Sequence, residues 1–265
     1  MLRLIVRGAV PSRNEPAICY GNAMPARMRA DRLLVERGLF ESRAQAQAAI
    51  AAGLVTANDL LVVRPSQVIA IDAALNAAPA HPWASRGGVK LAAALDHFGF
   101  DPAGLVCLDV GASTGGFTDV LLARGARRVY AVDVGRGQLN PRLAARPQVV
   151  SLEATDIRHV TPAILPEPPD AVVVDVSFIS LKLVLPAALA LARTPAWLVA
   201  LIKPQFEAGR GRVKRGIVRD PQVHAAVCDD IAAVLAALGW SIGGTIASPI
   251  AGGDGNREFL IGARR

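Results

Sequence analysis

The stretch from residue 105 to residue 119 most constrains what this chain of 265 residues can fold into. An apolar run ends at Asp109, a turn rich in glycine follows, and an amphipathic run starts at Phe117. This order predicts a strand, a tight turn and a helix, which together open a nucleotide-type α/β domain. Glycine lets a backbone approach a ligand closely, and free N–H groups at the start of a helix can face polar ligand atoms.

The spacing of the glycines bears on which ligand the turn binds. The turn reads G-x-x-x-G-G from Gly111 to Gly116, and Ser113 stands where a dinucleotide fingerprint has its second glycine. A second strand over 128–133 ends in Asp133, which is well placed for ribose hydroxyls. We therefore expect a nucleoside cofactor such as S-adenosylmethionine, with a plain strand–turn–helix unit of any α/β fold as the alternative.

The composition indicates a packed, basic protein. Hydrophobic residues make up 52% and charged residues 19%, and the net charge is +7. Excess positive charge favours a polyanion as partner, although a basic protein without such a partner is the alternative. Cys19, Cys107 and Cys228 are scattered, which predicts neither a metal site nor disulfides and fits the reducing cytoplasm. No apolar run approaches the roughly 18 residues of a spanning helix, so we expect no membrane association.

The N-terminal part of the chain contains two predicted short helices. Residues 1–26 show no periodicity and are expected to form a disordered tail. Asp31 is expected to cap the first helix, and Ser42 with Gln45 matches the capping box of a second helix. Short strands are predicted at 54–56, 60–63 and 67–69.

Four arginines lie on or beside these two helices. Clustered guanidiniums suit phosphate contacts, with an ordinary solvated helix face as the alternative. They are Arg29, Arg32, Arg37 and Arg43. The spacing over 29–55 resembles the small RNA-binding module first known from ribosomal protein S-four, with departures at its first residues and at the turn over 56–59. This resemblance implies an RNA-binding domain over 27–75. The alanine and proline content of the next stretch predicts a linker over 76–84, and a second domain is expected over 85–265.

The second domain alternates strands with helices, which predicts a mostly parallel sheet. We count seven strands, the last two forming an antiparallel hairpin at one edge. The predicted fold is therefore α/β, a Rossmann-like sheet of seven strands with a small N-terminal α+β domain. In such sheets ligands bind beyond the carboxyl ends of the strands, where Asp109, Asp133, Asp175 and Lys203 all fall.

Four charged residues at element boundaries form a recognisable set. Lys90, Asp175, Lys203 and Glu258 resemble the Lys-Asp-Lys-Glu tetrad of FtsJ-type ribose 2′-O-methyltransferases. The chain from about residue 27 onward resembles the TlyA or haemolysin A family, which joins the same RNA-binding module to that catalytic domain. The matching stretches are 85–91, 109–118, 175–181 and 202–207. The resemblance implies methylation of ribosomal RNA with S-adenosylmethionine.

The chemistry of the reaction suggests a role for each member of the tetrad. A ribose hydroxyl is a poor nucleophile, so it needs a base or a stabilising cation as it attacks. We expect Lys203 to be that base or oxyanion partner, and Asp175 to orient it. Lys90 is expected to help position the substrate or to balance charge, and Glu258 to fix the geometry of the lysines.

The remaining expected contacts concern the cofactor and the RNA. Asp109 and the turn should face the methionine part of the cofactor, Asp133 its ribose and Asp156 its adenine amino group. The expected cofactor residues are Asp109, Gly111, Ala112, Ser113, Gly115, Gly116, Phe117, Asp133 and Asp156. A basic segment over 208–219 is expected to be an RNA-holding lid, with a solvated loop as the alternative. The further expected RNA contacts are Arg86, Arg210, Arg212, Lys214 and Arg215.

Two other function classes remain open at this stage. One is a non-catalytic factor for rRNA binding or ribosome assembly, which would bind the cofactor without transferring methyl. The other, suggested by the haemolysin name, is a membrane-active protein, against which the absence of a strong amphipathic basic helix argues. The sequence also leaves open the modified nucleotide and whether the protein is a monomer or a dimer.

Overall fold

The computed structural model describes residues 26–252 and 255–265, apart from the side chain of Arg210. The tail expected over 1–26 therefore lies, except for its last residue, outside the described residues. The chain divides between Ala80 and His81 into two compact units.

The first unit is a small α+β structure with its own core. Its helices are α1 Ala30–Glu36 and α2 Arg43–Ala51. Its strands are β1 Arg27–Arg29, β2 Val55–Ala57, β3 Leu60–Leu61, β4 Val68–Ala70 and β5 Leu75–Ala77. Strands β3, β2 and β5 form one antiparallel sheet, and β1 pairs with β4. Leu34, Ile50 and Val55 are among the buried residues that join the helices to the strands.

Two local expectations for this unit are wrong. The stretch over 76–84 is not a plain linker, because Ala77 pairs with Val55 in β5. Asp31 is not the cap of α1, because the helix starts at Ala30 and the fully buried Asp31 carboxylate accepts hydrogen bonds from other side chains instead. The cap of α2 is as expected: the Ser42 hydroxyl accepts a hydrogen bond from the backbone N–H of Gln45 at 3.3 Å.

The second unit has a central sheet with helices on both faces. Its strands are β6 Val106–Val110, β7 Arg128–Val132, β8 Val149–Leu152, β9 Ala171–Val174, β10 Trp197–Ile202, β11 Ser241–Ala247 and β12 Phe259–Arg264. Its helices are α3 Gly87–Phe98, α4 Gly116–Ala123, α5 Pro141–Ala144, α6 Leu181–Ala190, α7 Pro204–Glu207 and α8 Pro221–Ala237. Short 3₁₀ turns lie at Ile157–His159 and Arg210–Arg212.

The sheet order confirms the predicted architecture. The order is β11-β12-β10-β9-β6-β7-β8, and β12 is antiparallel to both of its neighbours while the other pairings are parallel. The apolar runs of β9 and β10 are buried throughout because both faces of the sheet are covered. Alternate strand residues pack against α6 and α8 on one face, and against α3 and α4 on the other.

The topology determines where a ligand can bind. From β6 the chain runs outward to β7 and β8, then returns to the other side of β6 to form β9 and β10. This switch of direction leaves a crevice beyond the carboxyl ends of β6 and β9, the usual ligand site of such sheets. In residues 26–252 and 255–265 there is no helix with the length and apolar character needed to cross a membrane.

Candidate active site

The glycine turn after β6 is required by the packing of the protein itself. Gly111 has a φ of +83° and lies against the carbonyl oxygen of Asp175, so a Cβ there would overlap that oxygen. Gly115 has a φ of +92° and packs against Leu143 at the start of α4. Ser113, at the position of the missing glycine, also adopts a left-handed backbone, with a φ of +46°. The backbone of the turn from Gly111 to Gly116 is therefore fixed, and we refer to this turn as the glycine cradle.

Two other expected cofactor residues contribute backbone to this cradle. The Ala112 N–H donates to the Val132 carbonyl at 3.1 Å and its side chain is buried. The Phe117 side chain lies in the core between α3 and α4, so only its backbone can face a ligand. Gly116 packs against the Ser85 hydroxyl, which brings the first turns of α3 and α4 together.

Asp133 joins the ends of β6 and β7. One carboxylate oxygen accepts the Ser113 N–H at 2.8 Å, and the other accepts the Gly135 N–H at 2.7 Å. The structure thus brings Asp133 to the glycine turn although 20 residues separate it from Ser113. Each carboxylate oxygen can accept more than one hydrogen bond, so acceptor capacity remains for ribose hydroxyls.

Glu153 is a residue of this region that the sequence reasoning missed. Its carboxylate accepts the backbone N–H groups of Gly137, Gln138 and Leu139 at 2.7, 2.7 and 3.0 Å. These three hydrogen bonds hold the pKa of the Glu153 carboxyl below its usual value. The loop after Asp133 is thereby held in one conformation. The only signal in the sequence was an acid directly after β8, which we did not use.

Asp156, the expected adenine contact, is engaged within its own segment. Its carboxylate accepts hydrogen bonds from the Arg158 guanidinium and from the Arg158 backbone N–H, which begins the 3₁₀ turn. These bonds lower the pKa of Asp156 to about 2. A contact between this carboxylate and adenine therefore stays a prediction, and it would have to form beside the Arg158 ion pair.

Asp109 lies completely buried under the turn. One oxygen accepts the Thr118 hydroxyl at 2.7 Å, and within the described part of the chain the other oxygen has no hydrogen-bond partner. Burial raises the pKa of this carboxyl to about 7, and the nearby carboxylates of Asp175 and Asp133 add to the shift. Such an unpaired acceptor is consistent with a cofactor whose polar end binds above it.

The tetrad predicted from the sequence assembles as two ion pairs. Lys203 Nζ lies 2.6 Å from Asp175 Oδ1 and also donates to Ser177 Oγ at 2.8 Å. Lys90 Nζ lies 2.5 Å from Glu258 Oε2, and the exposed fractions of these two side chains are 10% and 3%. Asp175 is thus the ion-pair partner of Lys203, and its expected role in orienting that lysine for catalysis stays a prediction.

The register of the sheet explains why these residues meet. Asp175 directly follows β9, and Lys203 directly follows its parallel neighbour β10. Antiparallel pairing sets Ile202 opposite Phe259, so Lys203 and Glu258, the next residues outward, reach the same edge. Helix α3 supplies Lys90 from its first turns, and the start of α3 lies close to Asp175.

Phe178 is an exposed aromatic side chain directly beside this site, and the sequence reasoning did not single it out. It is 91% exposed and has a φ of +65°, a conformation that costs energy for a bulky residue. Its ring centroid lies 5.1 Å from that of Phe206. Phe178 follows Ser177, the hydroxyl partner of Lys203. It therefore borders the edge of the sheet that carries Lys90, Asp175, Lys203 and Glu258, which we call the reactive edge.

The four arginines of the first unit are partly occupied by internal contacts. Arg29 and Arg43 both donate to Asp31, with 47% and 57% of their side chains exposed. Arg32 pairs with Glu36 at 2.8 Å, and Arg37 donates to the Ile71 carbonyl. RNA contact by these residues stays a prediction, and it would use the outward edges of the guanidiniums.

The expected RNA contacts of the second unit are exposed. Arg86 precedes the first residue of α3. Arg212, Lys214 and Arg215 lie in the basic segment after α7, and all four side chains are exposed. The side chain of Arg210 lies outside the described part of the chain.

The sheet order of this unit is that of a methyltransferase fold. Two lysine–carboxylate pairs lie at the carboxyl edge of the same sheet. The chain belongs to the FtsJ-like methyltransferase family, whose model matches residues 83–265.

Named relatives agree with this membership. The chain is 46% identical over 244 residues to the 16S/23S rRNA (cytidine-2′-O)-methyltransferase TlyA of Mycobacterium tuberculosis, covering 91% of each chain. It is 38% identical over 235 residues to Hemolysin A of Brachyspira hyodysenteriae, covering 88% of this chain and 98% of the relative. A solved structure named "Putative hemolysin" from Streptococcus thermophilus aligns with a TM-score of 0.73 at 41% identity, covering 92% of this chain and 90% of the other. The predicted family is confirmed.

Proposed function

We propose that this protein transfers a methyl group from S-adenosylmethionine to the 2′-hydroxyl of a cytidine ribose in ribosomal RNA. The observation that carries the proposal is the pair of buried or half-buried lysine–carboxylate contacts beside the glycine cradle. The substrate follows the relatives named as rRNA (cytidine-2′-O)-methyltransferases.

The cradle residues fit the cofactor. Backbone from Gly111 to Gly116 would hold its amino acid part, and the carboxylate of Asp133 would accept its ribose hydroxyls. The unpaired oxygen of Asp109 would face its polar end. When bound, S-adenosylmethionine supplies an electrophilic methyl group to the attacking oxygen.

Lys203 is the residue that acts on the ribose. The Lys203 side chain donates one hydrogen bond to Ser177 and lies 2.6 Å from Asp175 Oδ1 as its ion-pair partner, so these two contacts occupy two directions around Nζ. The third direction is available for the 2′-oxygen of the substrate. As a neutral amine Lys203 has a lone pair in this direction that receives the hydroxyl proton, and as an ammonium group it donates a hydrogen bond that stabilises the charge developing on the oxygen. Asp175 and Ser177 hold the lysine in place.

The Lys90–Glu258 pair acts next to Lys203 as a fixed electrostatic support. Removing one partner of such a buried pair leaves an uncompensated charge, which costs several kcal/mol. Together the two pairs keep the site neutral in net charge while they present two cations. In this arrangement Lys90 positions the ribose or its neighbouring phosphate, and Glu258 fixes Lys90.

Two further surfaces are suited to RNA. The exposed ring of Phe178 offers a stacking face for the target base beside Lys203. The arginine cluster of the first unit offers guanidinium edges to phosphates. The first unit would therefore dock on folded rRNA, as the resemblance to the S-four module implies.

Single-turnover methylation of rRNA tests the assignment of Lys203. Lys203→Ala should abolish methyl transfer while the affinity for S-adenosylmethionine, measured by calorimetry, stays close to that of the wild type. Lys182→Ala is the matched control, because Lys182 lies on α6 and pairs with Asp230 at the surface. An active Lys203→Ala enzyme would contradict the role.

Mapping of 2′-O-methylated positions tests the function as a whole. rRNA from cells with and without the gene should differ at one or more cytidines. A protein that binds rRNA and cofactor but leaves these positions unchanged would be the non-catalytic assembly factor instead. Leakage of anionic liposomes on adding purified protein would favour the membrane-active class.

A further inference from the structure

The basic segment after α7 contains a defined hairpin. Lys214 and Ile217 exchange both backbone hydrogen bonds, each at 3.1 Å. Arg215 and Gly216 between them have φ values of +51° and +77°, as a two-residue type I′ turn requires. We refer to residues 214–218 as the basic hairpin. It exposes the side chains of Lys214 and Arg215 in one geometry.

One buried asparagine holds the base of this hairpin. Asn256 is 3% exposed, and its side-chain amide donates to the Gly216 carbonyl at 2.9 Å. Its side-chain oxygen accepts the Val218 N–H at 3.3 Å. The Val218 carbonyl in turn lies 3.0 Å from His224 Nε2 of α8. The hairpin presents one acceptor, the Gly216 carbonyl, and one donor, the Val218 N–H. A side-chain amide, which both donates and accepts, matches this pair.

The same asparagine is joined to the reactive edge through the backbone. It lies two residues before Glu258, and its carbonyl oxygen accepts the Gly252 N–H at 2.9 Å. Gly252 lies flat against the Glu258 carboxylate, where a Cβ would overlap Oε1. Glu258 in turn carries the ion pair with Lys90. A continuous set of contacts therefore runs from the basic hairpin to the tetrad.

We propose that Asn256 is a positioning residue that fixes the basic hairpin relative to Glu258 and Lys90. A phosphate bound by the hairpin is then held in register with the ribose at the tetrad. This inference rests on the proposed function, because it assigns RNA phosphate as the ligand of the hairpin. The backbone charge of RNA matches the two exposed cations, Lys214 and Arg215.

The physical reason for expecting a rate effect is orientation. Misplacement of a reacting group by about 1 Å can cost on the order of 100-fold in rate even when the substrate is bound. Without Asn256 the hairpin can still attract RNA, but it no longer places that RNA relative to Lys90 and Glu258. The loss should therefore appear in the rate at saturating RNA, and not only in affinity.

The test uses the full chain with Asn256→Ala and with the isosteric Asn256→Asp, which keeps the acceptor and removes the donor. Gln222→Ala is the control, since it removes an exposed amide from the first turn of α8. We expect both Asn256 variants to slow single-turnover methylation at saturating RNA by at least about 10-fold. The affinity for S-adenosylmethionine should stay within about 2-fold of the wild-type value.

A double-mutant cycle then tests the link to the hairpin. Replacing Lys214 and Arg215 by alanine in the wild type should slow the saturated rate and reduce the salt slope of RNA binding by about 2, one unit per lost phosphate contact. In the Asn256→Ala background the same replacement should slow the rate by less than about 2-fold.

The outcomes are distinct. Additive effects of the two changes, or an unchanged saturated rate in Asn256→Asp, would overturn the positioning role. Loss of cofactor binding together with the rate would show that Asn256 only supports the fold. If the wild type transfers no methyl to rRNA, the proposed function fails. The dependence of RNA affinity on salt would then still be measured for the four proteins of the cycle, which are the wild type, Asn256→Ala, the Lys214 and Arg215 double replacement, and the combination of these changes. That comparison would decide whether Asn256 orders the hairpin for RNA.

Discussion

Replacing Asp109 by asparagine should change how stability depends on pH. The carboxyl is completely buried, and its pKa rises from 3.8 to about 7 in the folded protein. Between these values the folded state holds a proton that the unfolded chain has released. The free energy of unfolding must therefore fall as the pH rises through this window, and level off above it. Asparagine does not titrate and keeps an acceptor for the Thr118 hydroxyl.

The magnitude follows from the size of the shift. Each pKa unit corresponds to about 1.4 kcal/mol, so a shift of about three units costs the wild type about 4 kcal/mol at high pH. Part of this loss has already occurred at pH 5, which leaves about 2 to 3 kcal/mol between pH 5 and pH 8. Most other titrating groups contribute equally to both proteins, so they cancel when wild type and variant are compared.

Urea unfolding followed by circular dichroism at pH 5, 6, 7 and 8 measures the effect. We expect Asp109→Asn to gain stability relative to wild type by about 2 to 3 kcal/mol from the lowest to the highest pH. Asp229→Asn on the exposed face of α8 is the control and should track the wild type. Parallel curves for wild type and Asp109→Asn would show that the buried carboxyl does not titrate in this range, and would refute the reasoning.

Two further predictions concern RNA. Phe178→Ala should lower kcat/KM for rRNA by about 5- to 150-fold, because one base loses its stacking face. Phe178→Tyr keeps an aromatic ring and should have a kcat/KM close to that of the wild type. Equal kcat/KM values for the wild type and both variants would show that the Phe178 ring does not contact the RNA. Asp31→Asn should weaken rRNA binding and lower the free energy of unfolding by about 2 kcal/mol, since the Arg29 and Arg43 guanidiniums lose a charged partner. The arginines hold the pKa of Asp31 below its usual value, so its contribution is present above about pH 4 and lost at lower pH, and acid unfolding of both proteins checks this.

Several features could be read from short stretches of sequence because local physics determines them. The glycine turn, the apolar runs of β9 and β10 and the polar residue after each strand predicted a parallel sheet and a site at its carboxyl edge. The helix after Ser42 could be predicted from its capping pattern. In each case the signal lies within a few residues of the feature that it predicts.

Other features depended on residues far apart in the chain. Asp31 looked like a helix cap, but the packing of α2 against α1 places Arg43 and Gln47 on its carboxylate. Glu153 and Phe178 carried no pattern of their own, since their roles depend on a loop 15 residues away and on one left-handed backbone conformation.

The sequence by itself determined the class of fold and which charged residues stand at the ends of strands. Hydrophobic periodicity and turn chemistry act locally, so they are visible in one chain. Only the tertiary structure decided that Lys90 pairs with Glu258, a residue 168 positions away, and that Asn256 joins the basic hairpin to that pair. Sheet register and helix packing determine such pairings, and both depend on several distant segments of the chain at once, so no single stretch predicts them.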